Sequence, residues 1–152
     1  MNKWMKIAYN EAVDGMLSNE GGPFGAVITK DGKLIASAHN EVLKTNDPTA
    51  HAEVNAIRKA CKELDNFDLS GCILYTTCQP CPMCLGAIFW ARIQTVYYGA
   101  TKDDAAHAGF DDSRFYGMLQ GENMDVPMKQ IDYVQSAKLF EKWIEKNDRQ
   151  IY

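Results

Sequence analysis

Long apolar runs are missing from this chain. No stretch reaches the roughly 18 apolar residues that a membrane-spanning helix needs, so no membrane span is expected. The start, Met1-Asn2-Lys3-Trp4-Met5-Lys6, has no apolar run behind its charges, which speaks against a secretory leader. A basic excess is absent as well: 16 Lys and Arg face 20 Asp and Glu, for a formal charge of −4. Polyanion binding draws on clustered cations, so nucleic acid is not the expected partner. Cysteine is scarce and odd in number, five in 152 residues, which argues against a disulfide framework and for reduced thiols in the cytoplasm. Linkers, internal repeats and low-complexity tracts are also lacking. One domain over 1–152 is expected, and a chain of this length can bury roughly 68–70% of its unfolded surface. It does not need a metal merely to fold.

What is present reads as alternating helices and strands. Trp4, Met5, Ala8, Ala12, Val13, Met16 and Leu17 recur at three and four residues, which predicts a helix over 2–19 capped by Asn2. Gly21-Gly22-Pro23 ends it. Apolar runs at 24–29 and 33–38 flank Asp31-Gly32, a hairpin signal. A loop follows to Asp47, and Thr49 is placed to cap a helix over 50–64, with His51 and Glu53 in its first turn. A strand at 72–76, a helix from Pro82 to Trp90 and a strand at 95–98 make a parallel crossover. Residues 101–111 read as loop or short turns, with Asp112 or Ser113 as the cap for a helix to about Leu119. A fifth strand is expected at 130–134, then a helix capped by Ser136 with Leu139, Phe140, Trp143 and Ile144 on one face. Hairpin plus crossover predicts an α/β fold: a three-layer αβα sandwich around a mixed five-stranded sheet.

The chemistry concentrates in two stretches. Cys81-Pro82-Met83-Cys84 offers two sulfurs three residues apart, on one face of a helix start. His51-Ala52-Glu53 offers an imidazole and a carboxylate at another. Zinc accepts thiolate and imidazole ligands, so His51, Cys81 and Cys84 would give it three and leave a fourth position for water. Such an ion lowers the pKa of its water toward about 7, and Glu53 is the obvious proton carrier. This predicts hydrolytic deamination of an amino-substituted heterocycle. Two blander readings stand beside it. Cys78 could be a fourth ligand and close the site into a structural one, a zinc-stabilised binding module without turnover. Cys78-x-x-Cys81 could instead be a redox pair. Cys61 and Cys72 read as buried small hydrophobes, and His39 and His107 as bystanders.

His-x-Glu with a downstream Pro-Cys-x-x-Cys resembles the zinc deaminase signature. The resemblance to the cytidine deaminase superfamily runs through 21–28, 46–53 and 78–88, and the block Ala108-Gly109-Phe110-Asp111-Asp112-Ser113 resembles the bacterial guanine deaminases within it. It implies the cytidine deaminase-like fold, Zn2+ on His51, Cys81 and Cys84, and Glu53 as proton shuttle. It implies Asp112 as a second acidic group at the substrate amine and Asn40 hydrogen-bonding a purine. Phe24 and Trp90 would wall the ring, with Ala52 among the substrate contacts. The implied reaction is guanine to xanthine and ammonia, in purine catabolism. Guanosine, cytosine and the wobble adenosine of a tRNA are the alternative substrates. The implied assembly is a homodimer in which about 130–152 is exchanged and Tyr152 reaches the partner's site.

Overall fold

The computed structural model describes residues 1–121, 126 and 128–151. Helix α1 (Lys3–Leu17) starts where the Asn2 side chain accepts from the N–H groups of Trp4 at 2.8 Å and Met5 at 3.3 Å. Strands β1 (Gly25–Lys30) and β2 (Lys33–His39) form the antiparallel hairpin. At its tip Asp31 and Gly32 have φ of 50° and 72°, the paired positive angles that suit the strands' twist. A short helix α2 (Val42–Thr45) interrupts the stretch read as loop. Helix α3 (Ala52–Leu64) leads to β3 (Cys72–Cys78), antiparallel to β1. Helix α4 (Pro82–Trp90) then crosses to β4 (Thr95–Ala100), parallel to β3 as expected. Helices α5 (Lys102–His107), α6 (Ser113–Leu119) and α7 (Tyr133–Glu145) follow.

The sheet is mixed, in the order β2-β1-β3-β4. Side chains alternate across it, because successive residues of a strand point to opposite faces. Val27, Tyr75 and Ile73 meet Trp4, Met5 and Ala8 of α1 on one face. Ala26, Ile28, Leu74 and Cys72 meet Ala52, Ala56, Ala60 and Ile88 of α3 and α4 on the other. The alanines of α3 let that helix lie close to the sheet. Gly25 does the same for α1, since a Cβ there would collide with the Ala8 carbonyl. The result is three layers, with β3 central and its carboxyl end directed at the starts of α3 and α4.

Four expectations need correction. Among the described residues the sheet has four strands, not five. Residues 130–134 are exposed and pair with nothing, and the last helix starts at Tyr133 rather than behind Ser136. Tyr133, Val134, Ala137, Phe140 and Ile144 keep the helical spacing, which a five-residue window cannot tell from alternation. Residues 102–107 are helical because Thr101 and Asp104 form a reciprocal capping box. His51, not Thr49, is the N-cap of α3; Thr49 is engaged by Asp47 instead.

Helix α7 has no buried residue. Leu139, Phe140 and Ile144 are 65%, 72% and 63% exposed, so the apolar stripe of an amphipathic helix faces solvent in the single chain.

Candidate active site

His51 and Cys81 occupy equivalent places, each the N-cap of its helix in extended backbone. Neither side chain caps its own helix, so both ring and sulfur are free to turn toward each other. Pro82 at the first position of α4 leaves no N–H wanting a partner there. Cys84, one turn on, is fully buried beneath them. His51 Nδ1 lies 3.6 Å from Cys81 Sγ and 3.5 Å from Cys84 Sγ. Zn–S of about 2.3 Å and Zn–N of about 2.0–2.1 Å at tetrahedral angles require an N···S edge of about 3.6 Å, so the donors already stand at the spacing zinc imposes.

Their protonation supports the fit. Cys84's hydrogen bond, aided by His51 and the start of α4, holds the Cys81 thiol down to about 4. The same contact, with burial, pushes Cys84 up. Two sulfurs sharing one proton are a site for a cation, which takes both as thiolates.

Glu53 is the next residue inward, 6% exposed. Its Oε1 accepts from Thr76 Oγ1 at 3.2 Å and its Oε2 from Cys84 Sγ at 3.4 Å. Burial raises its pKa, which suits a group that must take up and release a proton. Cys78 is placed apart from this cluster. Its sulfur donates to the Thr101 carbonyl at 3.6 Å, and burial pushes it up to about 11, so it stays a thiol. Among the described residues, His51, Cys81 and Cys84 form a three-donor cluster that could hold a metal ion, and Cys78 is not part of it.

His51, Glu53, Cys78 and Cys81 line a cavity of about 540 Å³, with Cys84 buried behind them. Asn40 lies on its wall, 5% exposed. Its Oδ1 accepts from Gly22 N–H at 3.3 Å and Val42 N–H at 3.1 Å, which leaves Nδ2 as the donor for a ligand. Phe24 and Phe110 form an edge-to-face pair, centroids 4.9 Å apart at 86°, and both line the cavity. Asp112 enters from the start of α6, where Tyr116 Oη donates to the Pro80 carbonyl at 3.0 Å and ties that helix to the cysteine loop.

Residues 1–100 match the model of the cytidine and deoxycytidylate deaminase zinc-binding region. The chain belongs to this deaminase family. It is 51% identical to the guanine deaminase of Bacillus subtilis over 92% of this chain and 91% of that one. The crystal structure of guanine deaminase from Bacillus subtilis superposes with a TM-score of 0.94 at 48% identity, covering 100% of this chain and 99% of that chain. The tRNA-specific adenosine deaminase of Aquifex aeolicus is 43% identical over a shorter part, 70% of this chain and 68% of that one. The family is a zinc-binding one, and His51, Cys81 and Cys84 fit zinc.

Within this deaminase the other expected site residues distribute unevenly. Asp111 and Asp112 both line the cavity; the Asp111 carboxylate is engaged by Ser113 N–H at 2.9 Å, whereas Asp112, the N-cap of α6, makes no side-chain capping bond. Burial and the neighbouring Cys81 charge raise the Asp112 pKa. Ala52 is fully buried in the core and does not line the cavity. Trp90 does not line it either, and is 70% exposed. Six residues beyond Cys84, it projects about 120° away around a helix of 100° per residue. Phe110 stands beside Phe24 and lines the cavity, as was expected of Trp90. It sits in the block Ala108–Ser113 that resembled the guanine deaminases, next to two acidic residues, which was the available signal. Tyr152 lies outside the described residues.

Proposed function

We propose that this deaminase hydrolyses the exocyclic amine of guanine, with water as co-substrate and xanthine and ammonia as products. The observation that carries the reading is the three-donor cluster at tetrahedral spacing beside a buried carboxyl, at one end of a cavity walled by Phe24 and Phe110. When bound, zinc supplies a water of lowered pKa at its open position. Glu53 would take one proton from the attacking water and deliver it to the ring nitrogen, then carry the second, from the added hydroxyl, to the departing amine. Asp112 receives the amine from the opposite side and steadies it as it becomes ammonia. Asn40 Nδ2 donates to an acceptor on the purine edge, and Phe24 and Phe110 hold the ring and keep bulk water from it. The likeness to the Bacillus subtilis guanine deaminase over nearly the full length of both chains supports guanine above the tRNA and cytosine alternatives. The acidic net charge of −4 points the same way.

The working form in this reading is a homodimer. The solvent-facing stripe of α7 supports exchange of 130–152 with a second copy, which places the carboxy-terminal Tyr152 over the partner's cavity and shuts out a ribose. No helix among the described residues is long and apolar enough to cross a membrane. Five free cysteines, two of them zinc ligands, suit the reducing cytoplasm.

The test is ammonia release from a panel of free bases and nucleosides with the zinc-loaded protein. Guanine should react and guanosine should not. Turnover of another compound with guanine left intact overturns the substrate.

A further inference from the structure

One polar cluster takes no part in the mechanism. His39, at the end of β2, has Nδ1 at 2.8 Å from Glu11 on α1 and Nε2 at 2.7 Å from Glu20. A neutral imidazole carries one N–H and cannot donate to two carboxylates. The ring in this geometry is an imidazolium. It lies against Gly15, where a Cβ would strike it. Glu20 leads into Gly21 and Gly22, and Gly22 N–H is one of the two donors that fix Asn40 Oδ1. His39 itself precedes Asn40 in the chain. The ring therefore ties the two backbone segments between which the Asn40 side chain is held.

The surrounding charges complete the tie. Lys44 on α2 contacts Glu20 at 3.0 Å and Glu41 at 2.9 Å, and so fills the gap among Glu20, His39 and Glu41 that a metal ion would need. Ser37 donates to Glu11, and Lys59 of α3 reaches the Ser37 carbonyl at 3.0 Å. Asn55 of α3 donates to the His39 carbonyl at 3.1 Å and to Ala50's at 3.3 Å, linking this bracket to the loop that carries His51. None of Glu11, Glu20, His39, Glu41, Lys44 or Asn55 lines the cavity.

We propose that protonated His39 is a positioning residue for Asn40, holding the purine-recognition wall through Glu11 and Glu20 without touching substrate. The proposal rests on the guanine deaminase reading for its kinetic arm only. Substrate binding then depends on the charge of His39, while the chemistry at Glu53 does not. The prediction is a KM split from kcat, with KM rising as pH climbs through the His39 titration.

The test uses the zinc-loaded full chain and its His39→Gln, Glu20→Gln and Gly15→Ala variants. KM for guanine should rise about tenfold, roughly the worth of one misplaced hydrogen bond, with kcat within about twofold and one zinc per chain retained. The parent's KM should rise with pH, and that of His39→Gln should be flat. Independently of turnover, NMR should show the Gly22 amide of the parent following the His39 ring titration. A loss carried by kcat alone, a KM moved by less than about twofold, or a Gly22 amide blind to His39 overturns the proposal. A parent inert toward guanine sinks the functional reading instead, and the NMR arm still decides the positioning role.

Discussion

Asn40 offers a way to separate holding the fold from holding the substrate. Its Oδ1 serves two backbone N–H groups, and its Nδ2 is left for a ligand. Asn40→Ala removes both functions. Two part-buried N–H groups lose their acceptor at about 1–2 kcal/mol each, a total of about 2–4 kcal/mol. For a chain of this length that lowers Tm by roughly 5–15 °C. Asn40→Asp is the sharper probe, because a carboxylate keeps the acceptor oxygen and loses only the donor. Tm should fall much less than for Asn40→Ala. Binding should suffer more, since the lost donor is replaced by an oxygen facing the acceptor it used to serve. The expected rise in KM is about 10- to 100-fold, or about 1.4–2.8 kcal/mol. Thermal unfolding of the zinc-loaded variants and steady-state rates read the two effects separately. Asn40→Asp binding guanine as tightly as the parent would refute the donor assignment.

Three further outcomes follow. Chelation should abolish turnover yet leave far-UV circular dichroism native-like, because Ile28, Leu74 and Ile88 are packed without the ion; global unfolding would favour the zinc-stabilised module. Burial would lower the His39 pKa, but its bonds to Glu20 and Glu11 carry it above 6.5, so its stabilisation is full below 6.5 and lost as pH rises through the folded value. Burial would raise Glu11, but Ser37 and His39 hold it below 4.5, so its stabilisation is present above 4.5 and lost as pH falls through the folded value. The Tm gap between parent and His39→Gln should therefore be widest between 4.5 and 6.5 and close at alkaline pH; a gap that stays as wide at alkaline pH as between 4.5 and 6.5 contradicts the bracket. Deleting 130–152 should turn the proposed dimer into a monomer by sedimentation; a deletion variant that still sediments as a dimer, or a parent that sediments as a monomer, would dismiss the exchanged helix.

The sequence was most legible where one local signal decides a structure. Asp31-Gly32 forces a mirror-image turn whatever surrounds it, and Asn2 caps α1 from two residues away. The His51, Cys81 and Cys84 cluster was legible because helix starts are fixed by short-range rules and all three sit at the starts of α3 and α4. Legibility failed where the deciding partner is distant. That Phe110 rather than Trp90 stands beside Phe24 depends on how the arm carrying α5 and α6 folds over the cavity. Periodicity of α4 alone gives Trp90 no address. The expected strand at 130–134 failed because its alternation is too short to outvote the helical spacing around it. His39 looked like a bystander, since neither Glu11 nor Glu20 is near it in the chain.

The central claim is an ion held by one imidazole and two sulfurs with a position left open, and zinc K-edge X-ray absorption reads that directly. The account predicts two sulfurs at about 2.3 Å, one nitrogen at about 2.0–2.1 Å and one further light atom from solvent, unchanged in Cys78→Ser. A third sulfur that disappears in Cys78→Ser, or a protein that takes up no zinc, would contradict it.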